Sequence, residues 1–196
     1  MKALITGGSK GIGKAIKQQL EKDGIECISW SRTDGVDFDL GIPLDKWLEF
    51  KDIDILINNF GGGGTWRYED GMKVMYRNYG LTQFLTRKFL ELNKKWGRVI
   101  TISSIFGKEK GHNPEFVAAK AAQIGFMKSL SGKYPGITFN TVCPGHIDVG
   151  KPFPDNPKII GQPEDIANLV SFLVSDKAKH INGATIVVDG GYTNSF

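Results

Sequence analysis

The first 13 residues of the chain, MKALITGGSKGIG, constrain its fold more than any other segment. An apolar stretch, which predicts a buried strand, runs directly into a turn with four glycines, and apolar residues then recur at helical spacing from Ile12 to Leu20. In such a strand–turn–helix unit, free backbone N–H groups and the positive end of the helix dipole attract a phosphate. We therefore predict a phosphate-binding turn formed by Gly7, Ser9, Lys10, Gly11, Ile12 and Gly13.

Strands and helices are predicted to alternate along the whole chain. The apolar patterns predict strands at 3–5, 26–31, 36–40, 53–58, 98–103, 138–142 and 185–188, and helices at 14–22, 44–50, 71–95, 115–131 and 163–174. Alternating units of this kind indicate an α/β fold with a parallel sheet covered on both faces. Right-handed crossovers then give a doubly wound, seven-stranded sheet. The length of 196 residues suits a single domain that spans residues 1–196.

Composition excludes several classes of function. The net charge of +4 comes from scattered basic residues without interleaved aromatic residues, so we expect no nucleic-acid partner. We expect no membrane span, because no apolar run is long enough, and no signal peptide, because the chain begins with a strand. Cys27 and Cys143 lie in predicted strands, which favours two reduced, buried thiols and a cytoplasmic protein. No metal site is expected.

Six short motifs then follow one another in a characteristic order. They are TGGSKGIG at the start, NNFG at 58–61, ISS at 102–104, FVAAK at 116–120, NTVCPGHI at 140–147 and VDGG at 188–191. In this order, and over essentially the whole chain, they resemble the short-chain dehydrogenase/reductase family. The resemblance implies a single Rossmann-type domain and an oxidoreductase with a nicotinamide cofactor.

The resemblance also implies catalytic residues. Asn78 would hold the water of a proton relay, Ser104 would bind the substrate oxygen, and Lys120 would bind the nicotinamide ribose and supply a positive field. Ser103 is the alternative to Ser104, because the stretch from here to the next motif is one residue short.

Phe116 stands where the family has its catalytic tyrosine, which acts as general acid and base. Phenylalanine has no proton to give, and loss of a positioned general acid costs about 10²–10⁴ in rate. Three explanations remain open: an engineered change, a natural cofactor-binding protein without reductase activity, or another proton donor. His112 and His146 are the two candidates for such a donor, since either could titrate near neutral pH.

Charge at the end of the second predicted strand favours NADP over NAD. This position holds Arg32, and Lys10 lies in the glycine turn; both could bind a 2′-phosphate, whereas Asp34 is the acid that would favour NAD. Asp39 and Leu40 match the pair that the family sets against the adenine. The resemblance implies further cofactor contacts at Asn59, Gly61, Pro144, Gly145 and Ile147.

The chain departs from the family pattern at two more places, both near the expected substrate. Val149 replaces a threonine that often contacts the cofactor, and the segment 151–162, where the family has a helical lid, is short and rich in proline. We expect a wide, shallow site, or one completed by a neighbouring subunit. The helices at 71–95 and 115–131 would form the interface of a homodimer or homotetramer.

The function predicted from these observations is NADP-dependent reduction of a ketone, or oxidation of a secondary alcohol, as the small-molecule substrate. The alternative is an NADP-binding protein with little or no reductase activity.

Overall fold

The core of the protein is a parallel sheet of six strands in the order β2-β1-β3-β4-β5-β6. The computed structural model describes residues 1–39, 41–62, 68–92, 95–150, 153 and 157–193. Within these ranges the strands are Lys2–Thr6 (β1), Glu26–Trp30 (β2), Ile55–Asn58 (β3), Gly97–Ile102 (β4), Ile137–Pro144 (β5) and Thr185–Val188 (β6). Every strand pair is parallel. The predicted α/β, doubly wound class is therefore confirmed.

Helices connect these strands. They are Gly11–Lys22 (α1), Lys46–Phe50 (α2), Tyr68–Met75 (α3), Leu81–Glu91 (α4), Pro114–Leu130 (α5) and Pro163–Val174 (α6). A π-helical turn, Tyr76–Gly80, joins α3 to α4, so the predicted helix at 71–95 is interrupted in its middle and ends at Glu91. Pro114 and Pro163 each occupy the first turn of a helix, where the missing N–H costs nothing.

The side chains of the sheet divide between two apolar cores. On one face, Ile5, Ile57 and Ile100 pack with residues of α1 and α6. On the other face, Leu4, Leu56 and Val99 pack with α4 and α5. Alternate residues of β1 and β3 thus enter opposite cores, as expected for strands buried on both faces.

The prediction of a seventh strand at 36–40 is wrong. Among its described residues, 36–39, only Asp37 pairs, in an isolated antiparallel bridge with Gly41, and Val36 and Phe38 are buried in the second core. Strand β2 ends at Trp30, so too few residues separate it from Val36 to build the crossover that a parallel strand needs. Apolar burial alone therefore gave this segment the pattern of a strand.

No helix in the described part of the chain is long and apolar enough to cross a membrane. Cys27 in β2 and Cys143 in β5 are free thiols that lie in strands; Cys143 is buried as predicted, whereas Cys27 is only half-buried. Burial raises the pKa of Cys27 to about 12 and also raises that of Cys143, which makes both thiols poor nucleophiles at neutral pH.

Candidate nucleotide and substrate site

The carboxyl ends of the strands β1, β3 and β4 gather most of the predicted site residues at one edge of the sheet. The strand order reverses between β1 and β3, because the chain builds outward to β2 and then returns to the other side of β1. In open α/β sheets, ligands bind at such a switch point, outside the carboxyl ends of the strands.

The glycine turn between β1 and α1 is shaped for close approach of a ligand. Gly7 and Gly11 have backbone φ angles of 70° and 53°, values that residues with a side chain rarely adopt. A Cβ at Gly13 would lie 2.3 Å from the backbone oxygen of Gly7, so no larger residue fits there. Helix α1 begins at Gly11 without a side-chain cap, and Ser9 and Lys10 are exposed beside its N-terminus. The turn therefore fits the phosphates of a dinucleotide.

Thr6 and Asn59 hold this turn against the end of β3. The hydroxyl of Thr6 accepts hydrogen bonds of 2.9 Å from the backbone N–H groups of Asn59 and Phe60. The side-chain amide of Asn59 donates in return to the backbone oxygens of Thr6, at 2.9 Å, and Gly7, at 3.3 Å. The resemblance implied a cofactor contact at Asn59; the structure shows that its side chain shapes the glycine turn.

Asn78 lies fully buried in the π-helical turn and binds the loop that follows β3. Its amide nitrogen donates to the backbone oxygens of Gly62, at 2.9 Å, and Val74, at 2.8 Å, and its amide oxygen accepts from Gly62 N–H. A Cβ at Gly61 would lie 2.3 Å from that amide oxygen, which explains the glycine. The side chain of Asn78 thus positions the 61–62 loop.

Lys120 is buried beside the same loop. Its ammonium donates a 3.0 Å hydrogen bond to the backbone oxygen of Ile102, at the end of β4, and it is 3.7 Å from the Cβ position of Gly61. Desolvation lowers the pKa of Lys120 to about 8. An ammonium has three donors, and the Ile102 oxygen is the one acceptor for them among the described residues.

The two serines after β4 have different environments. Ser103 is buried and donates to the backbone oxygen of Lys120 at 2.9 Å, which ties α5 to the sheet. Ser104 is half-buried and accepts a 3.2 Å hydrogen bond from the N–H of Phe106, and no described residue accepts the proton of its hydroxyl. This geometry favours Ser104 over Ser103 as a group that binds a substrate oxygen.

Phe116 lies half-buried one helical turn before Lys120. The centroid of its ring is 5.4 Å from the Lys120 ammonium, a cation–π contact at the place where a phenol would be expected. Phe116 therefore shields the lysine and offers no proton.

The two candidate histidines differ in position. His112 is exposed in the loop before α5. His146 is buried among aromatic rings, with its ring centroid 4.8 Å from that of Tyr192 and 6.2 Å from that of Phe106, two residues after Ser104. The structure thus brings a phenol, that of Tyr192, next to His146, which no motif indicated.

At the end of β2, Arg32 is exposed, whereas Asp34 is held by neighbouring hydroxyls. The Asp34 carboxylate accepts hydrogen bonds from Ser29, at 2.8 Å, and from Ser31. Ser29 lies against the glycine turn, since its hydroxyl is 2.7 Å from the Cβ position of Gly8. Arg32 and Asp34 are therefore both near the place expected for the ribose of the cofactor, and the Asp34 carboxylate already accepts hydrogen bonds.

The other predicted cofactor contacts lie in different environments. Asp39 forms a two-bond ion pair with Arg77 of the π-helical turn, which lowers the pKa of Asp39, and its predicted partner Leu40 lies outside the described residues.

Pro144, at the end of β5, and Ile147 are buried. A Cβ at Gly145 would lie 2.6 Å from that of Asp189. Val149 is exposed and packs over the glycine turn, 3.2 Å from the Cβ position of Gly11. Of the predicted lid at 151–162, residues 151, 152 and 154–156 lie outside the described residues.

Gln123 is a site residue that no motif indicated; its amide donates to the backbone oxygen of Asn78, at 2.9 Å, and to the Thr82 hydroxyl, at 2.8 Å. Gln123 is fully buried and lies one helical turn after Lys120. A polar residue on the inner face of α5 was the only signal. The amide stabilises the π-helical turn that carries Asn78.

Known proteins resemble this chain both in sequence and in structure. A family model for short-chain dehydrogenases, described as Enoyl-(acyl carrier protein) reductase, matches residues 47–193. The 3-oxoacyl-[acyl-carrier-protein] reductase FabG of Haemophilus influenzae is 32% identical over 96% of both chains. An acetoacetyl-CoA reductase of Shinella zoogloeoides is 33% identical over 96% of this chain and 97% of its own.

A solved structure, that of BdcA in complex with NADPH, superposes with a TM-score of 0.86. At 24% identity, over all of this chain and 95% of the other, it supports the fold. The alignment with the Haemophilus reductase spans 235 positions, more than the 196 residues here, so that relative has segments that this chain lacks.

Proposed function

This chain belongs to the short-chain dehydrogenase/reductase family, and we propose that it binds NADP(H) and transfers hydride between the nicotinamide and a ketone or secondary alcohol. The observation that carries the proposal is the buried ammonium of Lys120, which is bonded to Ile102 and lies next to Gly61 at the switch point of the sheet. A buried cation is costly when its donors lack acceptors, as two of them do among the described residues, unless a ligand supplies those acceptors. We further propose one domain over residues 1–196 and a cytoplasmic location.

NADP(H), when bound, supplies the hydride or accepts it. The glycine turn would bind its pyrophosphate, and exposed Arg32 and Lys10 would bind its 2′-phosphate. Lys120 would donate to the ribose hydroxyls and favour negative charge on the substrate oxygen. The name of the BdcA complex, which contains NADPH, is consistent with this choice of cofactor.

The substrate oxygen would be bound by the hydroxyl proton of Ser104. Both curated relatives are named as reductases of 3-oxoacyl thioesters, one on acyl carrier protein and one on coenzyme A. We therefore propose a ketone of this class, and acetoacetyl-CoA is the probe for the assay.

Phe116 favours a second candidate, an NADP-binding protein with little or no reductase activity. The reduced substrate must gain a proton on its oxygen, and the ring next to Lys120 has none to give. The two candidates share the fold and the cofactor and differ only in turnover.

The variant Phe116→Tyr tests the proposal. It restores a phenol next to the Lys120 ammonium, which would lower the pKa of that phenol and make it a general acid. We expect kcat/KM for acetoacetyl-CoA with NADPH to rise about 10²-fold or more, measured by the absorbance of NADPH.

Two variants control for changes other than the phenol. Phe116→Leu, which alters packing without adding a proton donor, should gain nothing, and Phe116→Tyr combined with Lys120→Met should lose the gain. If Phe116→Tyr binds NADPH but gains nothing on acetoacetyl-CoA or simple ketones, the site is not a silenced reductase. If the unmodified protein is already fast, His112→Ala, His146→Ala and Tyr192→Phe identify the alternative acid.

A further inference from the structure

A cleft of about 310 Å³ lies at the opposite edge of the sheet from the glycine turn. It is formed where β4 and β5 begin and by the segment that leads into β6, and its lining includes Trp96, Arg98, Tyr134, Thr138 and Lys179. Strand β4 has six residues, so this cleft is about 20 Å from the nucleotide site. Nothing in the proposed reaction uses these residues.

Arg98 is a buried cation at the floor of the cleft. Its side chain is 3% exposed, and its guanidinium donates to the backbone oxygen of Gly97, at 3.1 Å, and to Asp176, at 3.4 Å. The Asp176 side chain is 88% exposed, so its charge is screened by solvent. The buried Nε of Arg98 has no partner among the described residues. A guanidinium has five donors, and burying it with so few acceptors is costly unless an anion binds there.

Thr138 provides a second unused polar group next to Arg98. The two residues are register partners in the parallel pair β4–β5, so their side chains lie on the same face of the sheet. Thr138 is 5% exposed, and its hydroxyl has no partner among the described residues. Guanidinium and hydroxyl thus lie side by side in the cleft.

The segments that form the cleft are strongly basic. Residues 95–98, 132–138 and 176–182 carry five cationic side chains, those of Lys95, Arg98, Lys133, Lys177 and Lys179, against the single carboxylate of Asp176. This excess equals the net charge of +4 of the whole chain. Trp96 lies 4.3 Å from the guanidinium and holds its plane in place.

We propose that this cleft binds a small organic anion. Its phosphate or carboxylate group would accept hydrogen bonds from Arg98 Nε and the Thr138 hydroxyl, and its body would pack against Trp96 and Tyr134. The volume of the cleft suits a ligand of metabolite size. Because the site lies at the far edge of the sheet, the ligand would bind together with the cofactor and substrate.

Nitrogen NMR titrations of the whole protein test the proposal with three probes: inorganic phosphate, acetate and glycerol phosphate, each at constant ionic strength. The indole N–H of Trp96 reports the cleft, and the amides of Gly11 and Gly13 report the glycine turn, so binding at the two sites is distinguished. We expect saturable shifts of the Trp96 signal, and the stronger of phosphate and acetate identifies the preferred anionic group.

Arg98→Met should weaken this binding at least about tenfold, as expected for loss of a hydrogen bond to a charged group, and Thr138→Val about threefold to tenfold. Arg87→Met, which removes an exposed arginine of α4, is the matched control and should bind as the unmodified protein does. If Arg98→Met does not fold, Thr138→Val decides the question.

Three results would overturn the proposal. Shifts that are linear in concentration, or equal to those caused by chloride, would mean an adventitious ion only. Shifts confined to Gly11 and Gly13 would place all anion binding at the nucleotide site. Unchanged affinity in a folded Arg98→Met or Thr138→Val variant would exclude the cleft.

Discussion

The surroundings of Lys120 give its ammonium a pKa that differs from that of an ordinary lysine. Exposed on a helix it would be an ordinary solvated cation, but here it is buried with its ammonium bonded to Ile102 and flanked by Phe116. Desolvation brings its pKa down to about 8, so the neutral form becomes accessible near physiological pH. Ser103 supports this position, because its hydroxyl binds the backbone oxygen of the lysine itself.

This burial predicts a pH-dependent contribution of Lys120 to stability. The pKa is about 8 in the folded state and 10.5 without burial, so the unfolded chain binds more protons between these values and stability rises with pH there. Below pH 8 the free-energy cost of burying the charged ammonium is fully present. The free energy of unfolding of the unmodified protein, minus that of Lys120→Met, should increase by up to about 3 kcal/mol from pH 7 to pH 10.5.

Urea unfolding at several pH values measures this difference. Other alkaline groups, including Cys27, are present in both proteins and cancel. Parallel stability curves for the two proteins would mean that Lys120 is not desolvated.

Arg32 predicts the choice of cofactor. It is exposed at the end of β2, and Asp34, two residues further on, already accepts hydrogen bonds from Ser29 and Ser31. NADPH should bind more tightly than NADH, and Arg32→Ala should weaken NADPH about 10- to 100-fold while changing NADH little. Calorimetric titration of both cofactors measures this, with Lys22→Ala at the far end of α1 as control. A preference for NADH that survives Arg32→Ala would contradict it.

At the scale of elements, two local irregularities build the site. The first is the glycine turn between β1 and α1. The second is the π-helical turn, which interrupts a long helix between α3 and α4. The π-helical turn brings Asn78 inward to bind Gly62, and Gln123 of α5 holds its backbone oxygen. Such turns cost helix stability, and they are frequent at functional sites.

The glycine turn should not tolerate one added methyl group. In Gly13→Ala the new Cβ would lie 2.3 Å from the backbone oxygen of Gly7 and 2.5 Å from the Asn59 amide, so the turn or α1 must shift. We expect a loss of about 1–3 kcal/mol of stability and at least about tenfold weaker NADPH binding. Gln18→Ala on the exposed face of α1 should change neither. Unfolding and calorimetry test both variants, and a Gly13→Ala protein that matches Gln18→Ala would refute the tight fit.

At the scale of the molecule, helix α5 is apolar on more than its inner face. Ala119 and Met127 pack inward, whereas Ala118, Ala121 and Gly125 form an exposed stripe of small residues on the outer face. Exposed Phe84 of α4 and Met72 of α3 add larger apolar groups on this side of the sheet.

We expect this side to form a dimer interface, since closed two-fold assemblies are the commonest kind. Light scattering at micromolar concentration should give at least twice the monomer mass of 21.6 kDa. Ala121→Glu should reduce the mass to the monomer value, because it places a charge in a close helix contact, whereas Phe172→Glu on α6 should not. A monomer in the unmodified protein would contradict this expectation and the idea of a lid completed by a neighbour.

The sequence by itself determined the α/β class, the parallel sheet and the place of the nucleotide turn. These depend on local patterns: apolar runs of strand length, glycines before a helix, and prolines at helix starts. The motifs indicated Ser104, Lys120 and the exception at Phe116 for the same reason, since each is a short stretch of chain with a fixed place in the fold.

Only the tertiary structure decided what each polar side chain contacts. Val36 and Phe38 are apolar and buried, yet they add no strand, because too few residues separate them from β2. Ser103 and Ser104 are identical neighbours, and only the packing of α5 makes one structural and leaves the other open. Arg98 and Thr138 are 40 residues apart and meet through strand register. Such contacts depend on long-range packing, which leaves no trace in the residues on either side.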